Sequence, residues 1–126
     1  MPWPAPITLS GRHAPLKPLA HEHADGLRLA TRDGELWRLW YTAIPSPEGM
    51  TVEIDRRLGL QASGSMLPWT VFDAAGQVVG MTTYMNIDAT HRRVEIGSTW
   101  YAKSVQRSPL NTECKRMLLA HAFETL

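Results

Sequence analysis

The chain has 126 residues, 44% of them hydrophobic and 20% charged, and a formal net charge of +1. That length suits one domain with its own core, and the balance of apolar to charged residues excludes a disordered chain. No apolar run approaches the ~18 residues of a membrane span, and near-neutral charge excludes a strong general attraction to nucleic acid or to an anionic membrane.

The opening MPWPAP reads as an extended, proline-rich lead without a signal-peptide pattern. Residues 7–19 read as one short strand bounded by prolines, with Gly11 as a turn or bulge. His21 to Arg32 reads as a helix. DGELWRLWY reads as a second short helix, capped by Asp33, with Leu36, Trp37, Leu39 and Trp40 on its apolar side. In SPEGMTVEIDRRLGLQASG, Ser46 is the expected N-cap, Pro47 the first helical residue and Gly64 the residue beyond the end. Met50, Ile54 and Leu58 fall four apart on one face.

The pattern then changes period. MLPWTVFD alternates, AAGQ makes a turn, VVGMTTYMNID follows, and after the ATHR turn comes RRVEIGSTWY. Three short strands joined by tight turns read as an antiparallel meander. Pro109 to Leu126 reads as a helix whose apolar stripe takes in Leu110, Cys114, Met117, Leu118, His121 and residues 123–126. The expected class is α+β: one domain over residues 1–126, with a mostly antiparallel central sheet and helices on both faces. HAFETL has no C-cap glycine, so the last helix reads as still running where the chain stops.

The chemistry concentrates where the last strand gives way to the last helix, in STWYAKSVQRSPLNTECK. A helix N-terminus carries unpaired N–H groups and about half a positive charge, which suits an anion. Pro109 costs nothing at the first helical position. Lys103 and Arg107 add positive charge, and Ser108, Asn111 and Thr112 add hydrogen-bonding groups. An ordinary helix cap with two solvated basic residues is the alternative reading of the same stretch.

From RRVEIGSTWY through QRSPLNTECKRMLLAHAFETL the sequence resembles the GCN5-related N-acetyltransferase superfamily. More narrowly, it is similar to the branch that includes ribosomal-protein alanine N-acetyltransferases. EIGSTWY and QRSPLNTECK carry the likeness most specifically; SGRHAPLKPL and LPWTVFDAAGQVVGMTTYMNID carry it more weakly. The resemblance implies an acyl-CoA N-acyltransferase fold lacking its C-terminal strands, acetyl-CoA as co-substrate and an amine acceptor. It implies that Trp100 and Tyr101 offer backbone to the pantetheine arm and the acetyl carbonyl. It also implies that Gln106, Arg107, Ser108, Leu110, Asn111 and Thr112 form the pyrophosphate turn, with Lys103 beside it. The family loop commonly reads Q/R-x-x-G-x-G/A. Gln106 matches it, whereas Pro109 replaces a glycine and removes a donor, and Asn111 replaces a small residue.

N-acetyl transfer requires a neutral amine, hence a general base. Alternation places Glu95 opposite Val94 and Ile96, and the resemblance makes Glu95 the candidate base; a surface carboxylate paired with Arg92 or Arg93 is the alternative. A strand amide near Trp100 or Tyr101 is the expected oxyanion donor. Tyr84 and Asn86 stand on the neighbouring strand as candidate lining of the amine pocket, or as cross-strand packing and a turn cap. Trp40, with Trp37 and Tyr41, borders the acceptor side or packs in the core. Ser98 is open between pocket lining and plain strand residue.

Neither the histidines nor the single cysteine, Cys114, show metal-ligand spacing. Cys114 reads as a buried, inert thiol and fits a reducing cytoplasm. Three readings compete: an acetyl-CoA-dependent N-acetyltransferase, a non-catalytic remnant serving CoA binding or assembly, and a nucleic-acid-binding domain using Arg92, Arg93, Lys103 and Arg107 with Trp100, against which the near-neutral charge and the lack of a recognition motif argue. An exposed strand edge around residues 94–101 and the apolar side of the last helix predict a homo-oligomer.

Overall fold

The computed structural model describes residues 6–11, 13–32, 44, 46–106 and 108–124. Along them run β1 (Leu9–Ser10), β2 (Pro15–Pro18), α1 (Ala24–Arg32), α2 (Met50–Ala62), β3 (Leu67–Phe72), β4 (Val78–Asp88), β5 (Arg93–Tyr101) and α3 (Pro109–Glu124). Short 3-10 turns at His21–His23 and Lys103–Val105 precede α1 and α3. The sheet order is β1–β2–β3–β4–β5, and every neighbouring pair is antiparallel.

Residues 7–19, expected as one strand, fold back as the β1–β2 hairpin, with Leu9 opposite Leu16. The Gly11 amide donates to the Ala14 carbonyl at 3.0 Å. Packing against α3 explains the reversal. Glu113 accepts from the His13 and Ala14 amides at 2.6 and 3.0 Å, and a Cβ on Gly11 would collide with that carboxylate and with Met117 Sδ.

α2 starts later than its sequence signals suggest. Ser46 Oγ accepts from the Gly49 amide at 3.1 Å and closes a turn, so Gly49, not Ser46, occupies the cap before Met50. Gly64 follows the helix with φ +86°, a conformation glycine adopts without steric cost. Met50 and Ile54 are buried as expected, and Arg57 joins them. Arg57 Nε donates to Glu53 Oε2 at 2.7 Å. Burial opposes the Glu53 charge, but hydrogen bonds from Arg56 and Arg57, and then their charges, hold its carboxyl below the ordinary value. The expected helix over DGELWRLWY lies outside the described residues.

The alternation expected in MLPWTVFD does not appear as alternating burial: all six residues of β3 are buried. β3 is the middle strand and has helices on both sides. Trp69 packs edge-to-face on Tyr84 with ring centroids 4.9 Å apart, and the Tyr84 hydroxyl donates to the Leu118 carbonyl of α3. The next residue, Thr70, points the other way, and its hydroxyl meets His23 Nδ1 at 2.7 Å just before α1. His23 Nδ1 also accepts from the Ala20 amide, and burial lowers its pKa.

On α3, Leu110, Cys114, Leu118 and His121 are buried. Phe123, expected on the same stripe, is 85% exposed. Its position turns it toward a groove over β5 rather than into the sheet-facing layer.

Candidate active site

β5 is one of the two edge strands of the described sheet, and two bulges shape the surface it shares with β4. Met81 faces Trp100 and Thr83 faces Gly97, so Ser98 and Thr99 together stand against Thr82. Met85 faces Glu95 and Asp88 faces Arg93, so Asn86 and Ile87 together stand against Val94. Each bulge holds a non-glycine residue in the left-handed region, Ser98 at φ +47° and Asn86 at φ +49°. Such residues are uncommon and gather at functional sites, where bulges re-aim side chains.

The register fixes which face carries these groups. Tyr84 and its cross-strand partner Ile96 face α3. Met85 and Glu95, one residue along each strand, face the α1 and α2 side. Glu95 is exposed there, and its Oε2 accepts from Asn86 Nδ2 at 2.9 Å. Ser98 Oγ donates to Met85 Sδ at 3.6 Å, and a Cβ on Gly97 would strike the same sulfur. The Met85 thioether therefore lies across the β5 bulge, on the face that also carries Glu95.

Beyond Tyr101 the chain turns through Lys103–Val105 into α3. Lys103 is exposed. Gln106 Nε2 donates to the Tyr101 carbonyl at 3.0 Å, so this side chain ties the loop to the strand end and takes up that carbonyl. Ser108 Oγ donates to the Val105 carbonyl at 2.6 Å and accepts from the Leu110 amide at 3.3 Å. Ser108 thus acts as the cap of α3 and engages one of the amides expected for a phosphate. Leu110 is buried and Thr112 exposed, and Asn111 Oδ1 is buried without a hydrogen-bond partner among the described residues. Trp100 Nε1, on the face away from α3, is likewise buried without one. Glu113, the first carboxylate of α3, is turned to the β1–β2 hairpin. The first turn of α3 carries no acidic side chain, and Lys115 and Arg116, in the middle of the helix, form no salt bridge among the described residues.

Tyr84, a candidate for the amine pocket, is fully buried against Trp69 and α3 and does not reach the Glu95 surface; burial pushes its phenol up to about 12. Its alternation with Met85 explains the difference. Tyr101 is buried beside Cys114, and burial, then the nearby thiol, push its phenol far up, so only its backbone is available for chemistry. Burial raises Cys114 to about 11, which leaves it a protonated, inert thiol. Arg107, Trp37, Trp40 and Tyr41 lie outside the described residues. Among the described residues no group of three His, Cys, Asp or Glu side chains could hold a metal, and no helix is long and apolar enough to cross a membrane. The bulges and Met85 escaped the sequence reading, although an isolated Gly97 inside EIGSTWY is itself a bulge signal.

An antiparallel sheet flanked by helices, with a bulged edge strand feeding a helix N-terminus, defines an acyl-CoA N-acyltransferase type of fold. An acetyltransferase (GNAT) domain model matches residues 15–126, and the chain belongs to that family. A GCN5-related N-acetyltransferase from Brucella melitensis superposes with a TM-score of 0.82 at 27% identity, covering 99% of this chain and 58% of that one. RimL, a ribosomal L7/L12 α-N-protein acetyltransferase in complex with coenzyme A, shares the fold with a TM-score of 0.75 at 16% identity, covering 91% of this chain and 67% of that one. An acetyl transferase from Salmonella typhimurium that modifies the N-terminal serine of ribosomal protein L7/L12 shares it with a TM-score of 0.77 at 15% identity, covering 91% and 67%. The chain spans 58%, 61% and 63% of the length of the first three solved relatives. Comparison with the curated proteins gives no match.

Proposed function

We propose that this chain is a GNAT acetyltransferase domain that moves an acetyl group from acetyl-CoA to a primary amine, on a protein N-terminus or a small molecule, in the cytoplasm. The observation that carries this reading is the doubly bulged β4–β5 surface, with Glu95 on it, running directly into the N-terminal end of α3, whose first turn carries no acidic side chain. Among the described residues, three buried polar atoms of that stretch have no partner, Trp100 Nε1, Tyr101 Oη and Asn111 Oδ1. An unpaired buried polar atom costs on the order of 1–3 kcal/mol, and the Trp100 donor suits an acceptor atom of a ligand.

Acetyl-CoA supplies the acyl group already activated as a thioester. The chain's own residues do the rest. Lys103, Gln106, Arg107 and Ser108 form the turn around the diphosphate, with Leu110, Asn111 and Thr112 behind it. Amides near Trp100 and Tyr101 donate to the acyl carbonyl oxygen as negative charge grows there. Glu95 takes a proton from the acceptor amine, directly or through water, as the amine nitrogen bonds to the acyl carbon; the C–S bond then breaks, and the departing thiolate takes a proton from solvent to leave as free CoA thiol. The surface around Asn86, and the segment holding Trp40, border the acceptor.

Calorimetric titration with acetyl-CoA, followed by a thiol-release assay against a panel of amines, tests the reading. Saturable one-to-one binding with turnover is expected; no binding would end it. The second reading, a non-catalytic GNAT remnant that binds CoA or serves assembly, is favoured by Pro109, which has no N–H, and by Ser108 engaging the Leu110 amide. Binding without turnover would select it.

We also propose that the chain is a homo-oligomer. No described strand pairs with the outer edge of β5. A groove of about 340 Å³ beside it is lined by the apolar Val94, Ile96, Leu119, Ala122 and Phe123, with Arg92 and Arg93 at one end. A second copy brings an identical edge in antiparallel register about a two-fold axis, covering both edge and groove. Light scattering at micromolar concentration should give the mass of a dimer, and Phe123→Asp should return it to a monomer. A clean monomer for the parent chain would refute this.

A further inference from the structure

We infer that Asn86 is a positioning residue that acts through Glu95, holding its carboxylate in the orientation that accepts the amine proton. The inference rests on the proposed role of Glu95.

In a regular strand Asn86 would point away from Met85, toward the α3 side, and could not reach Glu95. The β4 bulge and a φ of +49° bring its side chain round, and Nδ2 donates to Oε2 at 2.9 Å. Asparagine is among the few L-residues that enter the left-handed region readily. The residue type therefore meets two requirements at once, the backbone conformation and the donor.

Glu95 needs such a partner. It is exposed, and its cross-strand neighbour is the apolar Met85. A free glutamate side chain has up to about 2 kcal/mol of rotamer freedom to lose. The bond from Asn86 occupies Oε2 and leaves Oε1 to face an amine. Ser98, from the other bulge, donates to Met85 Sδ rather than to Glu95. Among the described residues the carboxylate thus has one donor across the strands, and it comes from a bulge.

Asn86→Gly separates the two requirements, because glycine keeps the left-handed backbone and deletes the donor. It should lower kcat by about threefold to tenfold, the worth of one hydrogen bond, with KM for acetyl-CoA and thermal stability unchanged. Asn86→Asp places a carboxylate against Glu95 and should lower kcat further. In a Glu95→Gln background, Asn86→Gly should have no additional effect. A spectroscopic readout needs no substrate. The chain has two asparagines, Asn86 and Asn111, and Glu95→Ala should move the side-chain amide resonances of Asn86 and leave those of Asn111 in place. Unchanged kcat in Asn86→Gly, losses that multiply in the double variant, or unmoved Asn86 resonances would each overturn the inference while leaving acetyl transfer intact. A chain that binds acetyl-CoA without turnover would remove the reaction and the inference together.

Discussion

Glu95→Gln should lower kcat by about 100-fold or more, with the acetyl-CoA dissociation constant unchanged. General-base catalysis contributes on the order of 10²–10⁴ in rate, and a neutral amide of the same shape cannot accept the proton. The substitution should leave the fold alone, since the side chain is exposed and its hydrogen bond comes from Asn86 at the surface. Glutamine can still accept that bond through its carbonyl oxygen, so the loss isolates the charge. Thiol release under saturating acetyl-CoA reads kcat, and calorimetry reads binding. A rate within about threefold of the parent would assign proton removal elsewhere and would make Glu95 a plain surface carboxylate. The alternative pairing with Arg92 or Arg93 predicts such a result.

Trp69→Ala should cost about 3–5 kcal/mol of stability, the usual range for deleting a buried aromatic side chain. That is a large share of the ~5–15 kcal/mol that holds a typical domain together. Trp69 is 0% exposed in the middle of β3. It stacks edge-on against Tyr84, and its Nε1 donates to the Ile7 carbonyl at 2.8 Å, tying the lead into β1 to the sheet. Alanine leaves a cavity, an unpaired carbonyl and a Tyr84 ring without its neighbour. Trp69→Phe should recover part of the loss, because it restores most of the volume and not the donor. Urea denaturation followed by circular dichroism measures both. An unmoved midpoint for Trp69→Ala would mean that the layer between β3 and α3 does not hold the sheet. The active surface depends on that layer: Tyr84 faces into it, and Met85 and Asn86, the next two residues, carry the site.

The meander, the two turns inside it and the last helix were legible in the sequence because their signals are local. Period-two aromatic and β-branched runs, Gly76 at φ +84° in the AAGQ turn and the Ser108–Pro109 start of α3 need no distant partner. The β1–β2 hairpin was not legible, since Glu113, about 100 residues away in sequence, accepts the amides of its turn. The site divides the same way. Glu95 could be assigned a face by counting residues from Val94 and Ile96. Tyr84 could be counted the same way, but only the structure shows that its face is the one covered by α3. Asn86 carried a hint in its residue type, yet its aim at Glu95 comes from a bulge that adds one residue to β4, which strand counting cannot detect.

The amino-acid sequence alone determined an α+β chain of one family, a strand that runs into a helix N-terminus, and a carboxylate on the exposed side of that strand. Those are properties of neighbours along the chain, fixed by residue period, capping groups and turn chemistry. The tertiary structure decided which face of the sheet each helix covers, that Gln106 and Ser108 spend their side chains on the loop itself, and that two left-handed residues bend β4 and β5 into one surface. These depend on strand register and on contacts between distant segments, and register shifts by whole residues for small differences in packing energy that no local pattern records.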